Sequence, residues 1–304
     1  MTLDTELVAS TLKHWVDKKF IDNVFKAPTT FGYLYGKKRI AASGGRFIVE
    51  PLEYATTGNA KWLSGLDTYE MAKNQLFTDA TFAWRTLVVP VVIDWDTLDL
   101  NQGEAQVINW LEARKNNALK TAREQIEIAL HTIQTGDNPN SLLDVCSDAG
   151  TFGGISRTTY AWWDAYNSES ATTLSVSAMG VADLETTHGG ESIDVVITSS
   201  TLFQAYEELV YGKYGIRQLK VGDVFFKALQ FRGNPVIWSE QCAADNMYFL
   251  NTNFLKIVYM KNRAFMMPEF QRISGQLGEE APIIFKGNLV CSSPRNQGML
   301  GGRT

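Results

Sequence analysis

Cysteine is scarce. The 304-residue chain holds three, Cys146, Cys242 and Cys291, far apart and with no CxxC pair. Neither a disulfide framework nor a zinc knuckle is built from such spacing, and a reducing cytoplasm is the expected compartment. Histidine is as rare, and His14, His131 and His188 fall in three separate predicted elements. No stretch approaches the ~18 apolar residues of a membrane span. Asp4, Glu6 and Lys13 interrupt the N-terminal segment, so it lacks the apolar core of a signal peptide. A basic excess is missing too: 28 Lys and Arg stand against 33 Asp and Glu, a net charge of -5. That argues against a dedicated nucleic-acid grip, though not against a container that holds DNA without gripping it.

The motifs of catalysis are equally thin. There is no GxxxxGK[ST], and the nearest candidate, Gly212-Lys213-Tyr214, lacks the hydroxyl that holds magnesium. Gly150 to Gly154 does not have dinucleotide spacing, and neither GxSxG nor HExxH occurs. Asp94, Asp96 and Asp99 invite a calcium reading, but Leu98 occupies the third alternate position. They read as turn and helix-start acids. No catalytic residue, cofactor or metal ligand is assigned.

What is present suits a folded globular protein, with 45% hydrophobic and 20% charged residues. Residues 4–26 place Leu12, Trp15, Val16 and Phe20 at helical spacing, and Ala27-Pro28 stops the pattern. This is either a surface helix on its own core or an arm docking on a neighbour. Lys37, Lys38 and Arg39 form the one basic run, which reads as a solvated turn or as a contact with DNA or an acidic neighbour.

From Gly44 to Trp95 strand signals dominate, with a long hairpin whose tip carries Trp62, Leu63, Leu66, Tyr69 and Met71. A hairpin is marginal alone in water, so these tip residues need a covering surface, such as another subunit. A long helix is expected over 103–135, opened by Asn101 and Glu104 and stopped by Gly136 and Pro139. Its core face is assigned to Ile108, Leu111, Leu119, Ala122, Ile126 and Ile133. Its wet face is assigned the i,i+4 pairs Lys120–Glu124 and Arg123–Glu127. At 1.5 Å per residue it is a spine of ~45 Å. Shorter helices and strands then alternate without a repeat, ending in a strand at 283–291 and a loose Gly-rich tail. The fold class is α+β.

The order of these segments resembles the major capsid proteins of tailed bacteriophages, which have the Hong Kong 97-type fold. The resemblance rests on VVPVVIDWDTL running into the long helix, on GGISRTTYAWWDAY (153–166), on SIDVVITSSTLFQAYEEL (192–209), and on FRGNPVIWSEQCAADNMYFLNTNFLKIVYMKN (231–262). IIFKGNLVCSSPRNQGML adds a returning strand. It covers nearly the whole chain, and the order of segments carries it rather than any one motif. It implies an N-terminal arm (1–45), an E-loop hairpin (46–93), a P-domain with a spine helix (94–145), an A-domain (146–255), and a P-domain return with a C-terminal tail (256–304). It further implies self-assembly into pentamers and hexamers of an icosahedral shell around double-stranded DNA bound without sequence specificity. A separate scaffolding protein, a portal and a decoration protein are the implied partners. The implied location is the virion, assembled in the host cytoplasm, with no membrane involved. Encapsulin-type nanocompartments share that fold and dock cargo on an N-terminal helix, so segment 4–26 keeps that alternative open. An α+β enzyme or a binding module on a phage particle are the other readings.

Overall fold

The computed structural model describes residues 27, 29–68, 73–96, 110–211 and 229–303. The sequence features at Leu12, Trp15, Val16 and Phe20, at Tyr69 and Met71, at Asn101, Glu104 and Ile108, and at Gly212–Tyr214 lie outside these residues, as does the side chain of Leu111.

A nine-residue helix, α1 (Thr29–Lys37), leads into β1 (Arg39–Ala42). The hairpin follows as β2 (Ile48–Glu53) and β3 (Phe77–Phe82), paired antiparallel with Ile48 opposite Phe82. Period-two burial gives it two faces: Ile48, Leu52, Ala80 and Phe82 point inward, while Val49, Phe77 and Thr81 face outward. Next comes β4 (Arg85–Asp94). The sequence reading places this strand in the hairpin, but it pairs along its whole length with β14 (Gly278–Cys291). Its alternation explains why: Val91 and Ile93 are buried, Val91 in a small core with Ala118 and Ile283 that the hairpin does not share.

The spine helix α2 (Trp110–His131) spans 22 described residues. Ala118, Ala122, Ile126 and Leu130 recur every fourth residue and are buried, and Leu119 packs half-buried on a satellite cluster with Val91 and Ile283. Two expectations fail here. Ile133 lies past the helix end and is 59% exposed. The helix stops at His131 because the Gln134 N–H donates to Asp144 Oδ2 (3.0 Å) instead of to a carbonyl one turn back. Asp144 and Ser141 form the capping box of the short helix α3 (Leu142–Val145), so that carboxylate ends one helix and starts the next. The other failure is Glu127, which is not on the wet face opposite Arg123 but almost fully buried.

Beyond α3 come the two-residue strands β5 (Thr151–Phe152) and β6 (Ile155–Ser156), then β7 (Tyr166–Thr172), α4 (Val176–Thr186), β8 (Val195–Thr198) and α5 (Ser200–Tyr211). The remaining strands are β9 (Leu229–Phe231), β10 (Asn234–Trp238), β11 (Met247–Leu250), β12 (Leu255–Met260), β13 (Gln271–Arg272), β14 and β15 (Gly298–Arg303). They form two main sheets. A five-stranded sheet, called peripheral after the domain that the resemblance implies, runs β1-β12-β14-β13, with β4 also on β14, and a six-stranded sheet, called axial in the same way, runs β7-β15-β11-β8-β10-β9.

The C-terminal segment is therefore not a loose tail. β15 pairs parallel with β7 and antiparallel with β11, and Met299 and Leu300 are buried. Its glycines are a steric requirement. A Cβ at Gly298 would sit 2.6 Å from the Thr186 methyl, and Thr186 is fully buried.

One continuous core joins α1, the hairpin base, α2, α3, both sheets and Trp163. A second core fills the space between the axial sheet and helices α4 and α5. The axial sheet is thus covered on both faces, which accounts for the unbroken burial of Val195–Thr198 and Met247–Leu250.

Candidate assembly surfaces

The GGISR…YAWW segment forms the seat of the hairpin. Gly153 lies against Phe82 and Ala80 where a Cβ would come within 3.0 Å, and its carbonyl accepts from the Thr81 N–H at 2.8 Å. Tyr54 stacks on Trp162 with centroids 5.6 Å apart, and Lys256 pairs with Glu50 at 2.7 Å. The hairpin base is thereby locked on both sides. Beyond the Tyr54 N–H to Leu76 carbonyl bond the strand ladder ends, although Asn74 Nδ2 still donates to the Thr57 carbonyl, and the described residues up to 68 run on as an irregular tip.

That tip carries the most exposed apolar side chains in the described residues. Trp62 is 98% and Leu66 101% exposed, with Leu63 at 48%. Gly65 sits at φ 64°, and the Ser64 N–H donates to Asp67 Oδ2 (3.2 Å), which holds a local turn without covering either ring or methyls. Trp62, Leu63 and Leu66 all lie exposed in the segment that joins β2 to β3.

Two more apolar faces open outward. Val88 and Val92 on β4 flank Pro90 on the outer side of the peripheral sheet. Val176, Val181 and Leu184 line the outer side of α4. The basic run is not a bare turn. Lys37 ends α1 with its ammonium over the Tyr33 ring, Lys38 donates to the Asn253 carbonyl, and Arg39 begins β1 over the Tyr35 ring, 4.9 Å from its centroid.

Inside, two buried ionic residues carry much of the architecture, and sequence patterning gave no sign of either. Arg157, 2% exposed, donates to the carbonyls of Asp144 (2.8 Å), Val145 (2.9 Å) and Trp163 (3.3 Å), and its guanidinium stacks on Phe152. Burial lowers its pKa, and the neighbouring Cys146, Cys291, Asp164 and Asp144 only partly oppose this. Glu127 receives the N–H groups of Thr30 (2.9 Å) and Phe31 (2.6 Å) and the Ser239 hydroxyl (2.7 Å). Burial pushes its carboxyl pKa up, yet the nearby His131 ring and the hydrogen bonds from Phe31 and Ser239 outweigh burial and leave it below the usual range.

The three cysteines are free and buried. Burial pushes the Cys242 and Cys291 thiols up to about 12 and Cys146 higher still. Among the described residues no group of three His, Cys, Asp or Glu is arranged to hold a metal, and no helix is long and apolar enough to cross a membrane. A cleft of about 120 Å³ between α2 and the peripheral sheet is lined by Leu87, Ile126, Ala129, Ile257 and Phe285. Its rim holds the Arg85–Asp137 ion pair at 3.1 Å.

No family sequence model and no curated protein sequence matches the chain. Solved structures do. The chain is similar to the capsid asymmetric unit of cyanophage A-1(L), with a TM-score of 0.69 and 15% identity over 98% of this chain and 99% of that one. It is similar to the capsid of a native GTA particle, with a TM-score of 0.68 and 13% identity over 97% and 96%. It is also similar to the SrpI encapsulin of Synechococcus elongatus, with a TM-score of 0.67 and 8% identity over 98% and 95%. The fold is the one these capsid and encapsulin chains share, the Hong Kong 97-type fold that the order of sequence segments resembles.

Proposed function

We propose that the chain is the major capsid protein of a tailed phage, building a closed shell from many copies of itself and having no catalytic role. Full-length similarity to phage shell subunits supports this reading, and one observation carries it at the level of residues: a rigidly seated hairpin ends in a fully exposed Trp62 and Leu66. Apolar side chains held out on a stiff support have no use within one subunit. Laid over a neighbouring copy, a tip of ~300 Å² apolar area contributes about 7 kcal/mol before association costs.

In this reading β2, β3 and the tip form the E-loop within 46–93, and α2 with the peripheral sheet forms the P-domain (94–145 and 256–291), which β1 and β4 join by pairing with β12 and β14. The axial sheet, with α4 and α5, forms the A-domain (146–255) together with β15. Copies meet through A-domains at the centres of five- and six-fold rings. Packaged DNA, a scaffolding protein, a portal and decoration proteins are the partners that such a shell takes, with the virion as its location. Lys37, Lys38 and Arg39 are candidates for contact with DNA or a neighbour, although their charged ends are already engaged within the subunit.

The test is electron microscopy of the purified chain and of Trp62→Ser/Leu66→Ser. The wild type should give closed shells, and the variant a folded subunit without them. A wild-type chain that stays monomeric at every concentration overturns the reading. The similarity to an encapsulin supports a second reading, a cargo-filled compartment. The contents of the shell decide between the two: genomic DNA for a capsid, an enzyme for a compartment.

A further inference from the structure

The buried polar cluster around Glu127 has a geometry that packing alone does not require. Its carboxylate projects from the last turns of the spine helix and caps the first turn of α1, a helix 96 residues earlier in sequence, through the Thr30 and Phe31 N–H groups. The same oxygen that takes Thr30 takes the Ser239 hydroxyl, which follows the last residue of β10 in the axial sheet. One turn along the spine, His131 Nε2 stands 2.8 Å from the Thr30 hydroxyl and 3.6 Å from the carboxylate. The other ring nitrogen of His131 is buried with no hydrogen-bond partner among the described residues. Three parts of the molecule therefore meet on one carboxylate: the helix through which the chain enters from residues 1–28, the spine, and the axial sheet.

We propose that Glu127 is a protonation-gated latch that holds α1 to the spine and the axial sheet, and that protonating its carboxylate releases α1. The latch does not rest on the capsid reading. The titratable groups facing it are His131 from the spine and Cys242 from the loop after β10. Tyr248 of β11 packs on the His131 ring at 5.9 Å, and Asp245 lies further out, near Cys242 and Tyr248. An ionised carboxylate accepts from all three donors at once. A neutral one must turn a proton toward one of them, and α1 loses the negative charge that its N-terminus favours.

Hydrogen exchange on the full chain, read in the 29–37 peptide and corrected for intrinsic rate, tests the latch on unassembled subunits. In the wild type, protection of this peptide should be high at pH 7. It should fall at least tenfold as the pH drops below the ordinary carboxylate range, while β12 and β14 stay protected. Glu127→Gln should show the low protection already at pH 7, with no further pH dependence. Ser239→Ala removes one donor to the carboxylate, so it should move the wild-type transition to higher pH; it is the variant to use if the Gln form does not fold. Unchanged protection in Glu127→Gln, an unmoved transition in Ser239→Ala, or loss of α1 and β14 protection in a single step would each overturn the latch. Shell formation is scored separately by microscopy, so failure of the capsid reading and failure of the latch are distinct results.

Discussion

Arg157 places a cation among carbonyl oxygens with no carboxylate hydrogen-bonded to it, an arrangement that tolerates little change. Arg157→Leu leaves the carbonyls of Asp144, Val145 and Trp163 buried without donors. It should cost on the order of 3 kcal/mol, read as a lower midpoint in urea. Arg157→Lys should recover only part of this, since one ammonium cannot reproduce the guanidinium fork. Glu127 sets a pH dependence. Its folded pKa lies below the unfolded one, so its stabilisation is complete above the ordinary carboxylate range and is lost as pH falls through and below that range. Glu127→Gln should flatten the acid limb of a stability–pH curve. The three thiols, raised by burial, should resist alkylation at pH 8 in the native protein and all react in denaturant. None of this was legible in the chain. Glu127 four residues after Arg123 reads as a surface pair because periodicity marks apolar faces only, and an acid buried on a helix covered from several sides breaks that pattern.

At the scale of elements, the long helix, the hairpin and the strand–helix order of the axial segment were visible, since each has a period and a stop signal. The ends were not. Asp144 ends α2 early by taking the Gln134 amide, a tertiary contact that the local sequence does not announce. Leu119→Pro should still destroy the fold, because proline within α2 costs about 3 kcal/mol or more; retained native circular dichroism would refute the spine. The last strand was missed for a different reason. GMLGGR has the composition of a flexible tail, yet Gly298 is there because Thr186 leaves no room for a side chain. Gly298→Ala should therefore destabilise by about 1–3 kcal/mol, seen as a fall of several degrees in Tm, where a loose tail would show none. The two-residue turn Arg232-Gly233 has positive φ at both positions, as the tight hairpin of β9 and β10 demands. Arg232 tolerates this under an ion pair with Asp183 at 2.5 Å and a ring contact with Phe231.

For the whole molecule, the apolar hairpin tip was the most informative feature of the sequence, because an unburied Trp and Leu pair on a projection implies a second surface. Where that surface lies was not legible, since cross-copy contacts leave no period within one chain. The seat of the hairpin on Gly153, Trp162 and Lys256 makes the projection stiff, so tip variants should affect association and spare the subunit's thermal unfolding. Light scattering beside calorimetry on Trp62→Ser/Leu66→Ser checks that separation.

The position of β15 carries a consequence for the order of events at the ribosome. It fills the slot between β7 and β11, so until residues 298–303 emerge β11 has an open edge and β7 has no strand partner in the axial sheet. A nascent chain can form its hairpin and spine early, but it cannot close the sheet through which copies would meet at the ring centres. In the capsid reading, interrupted synthesis thus leaves subunits with an open β11 edge, ill suited to joining a growing lattice.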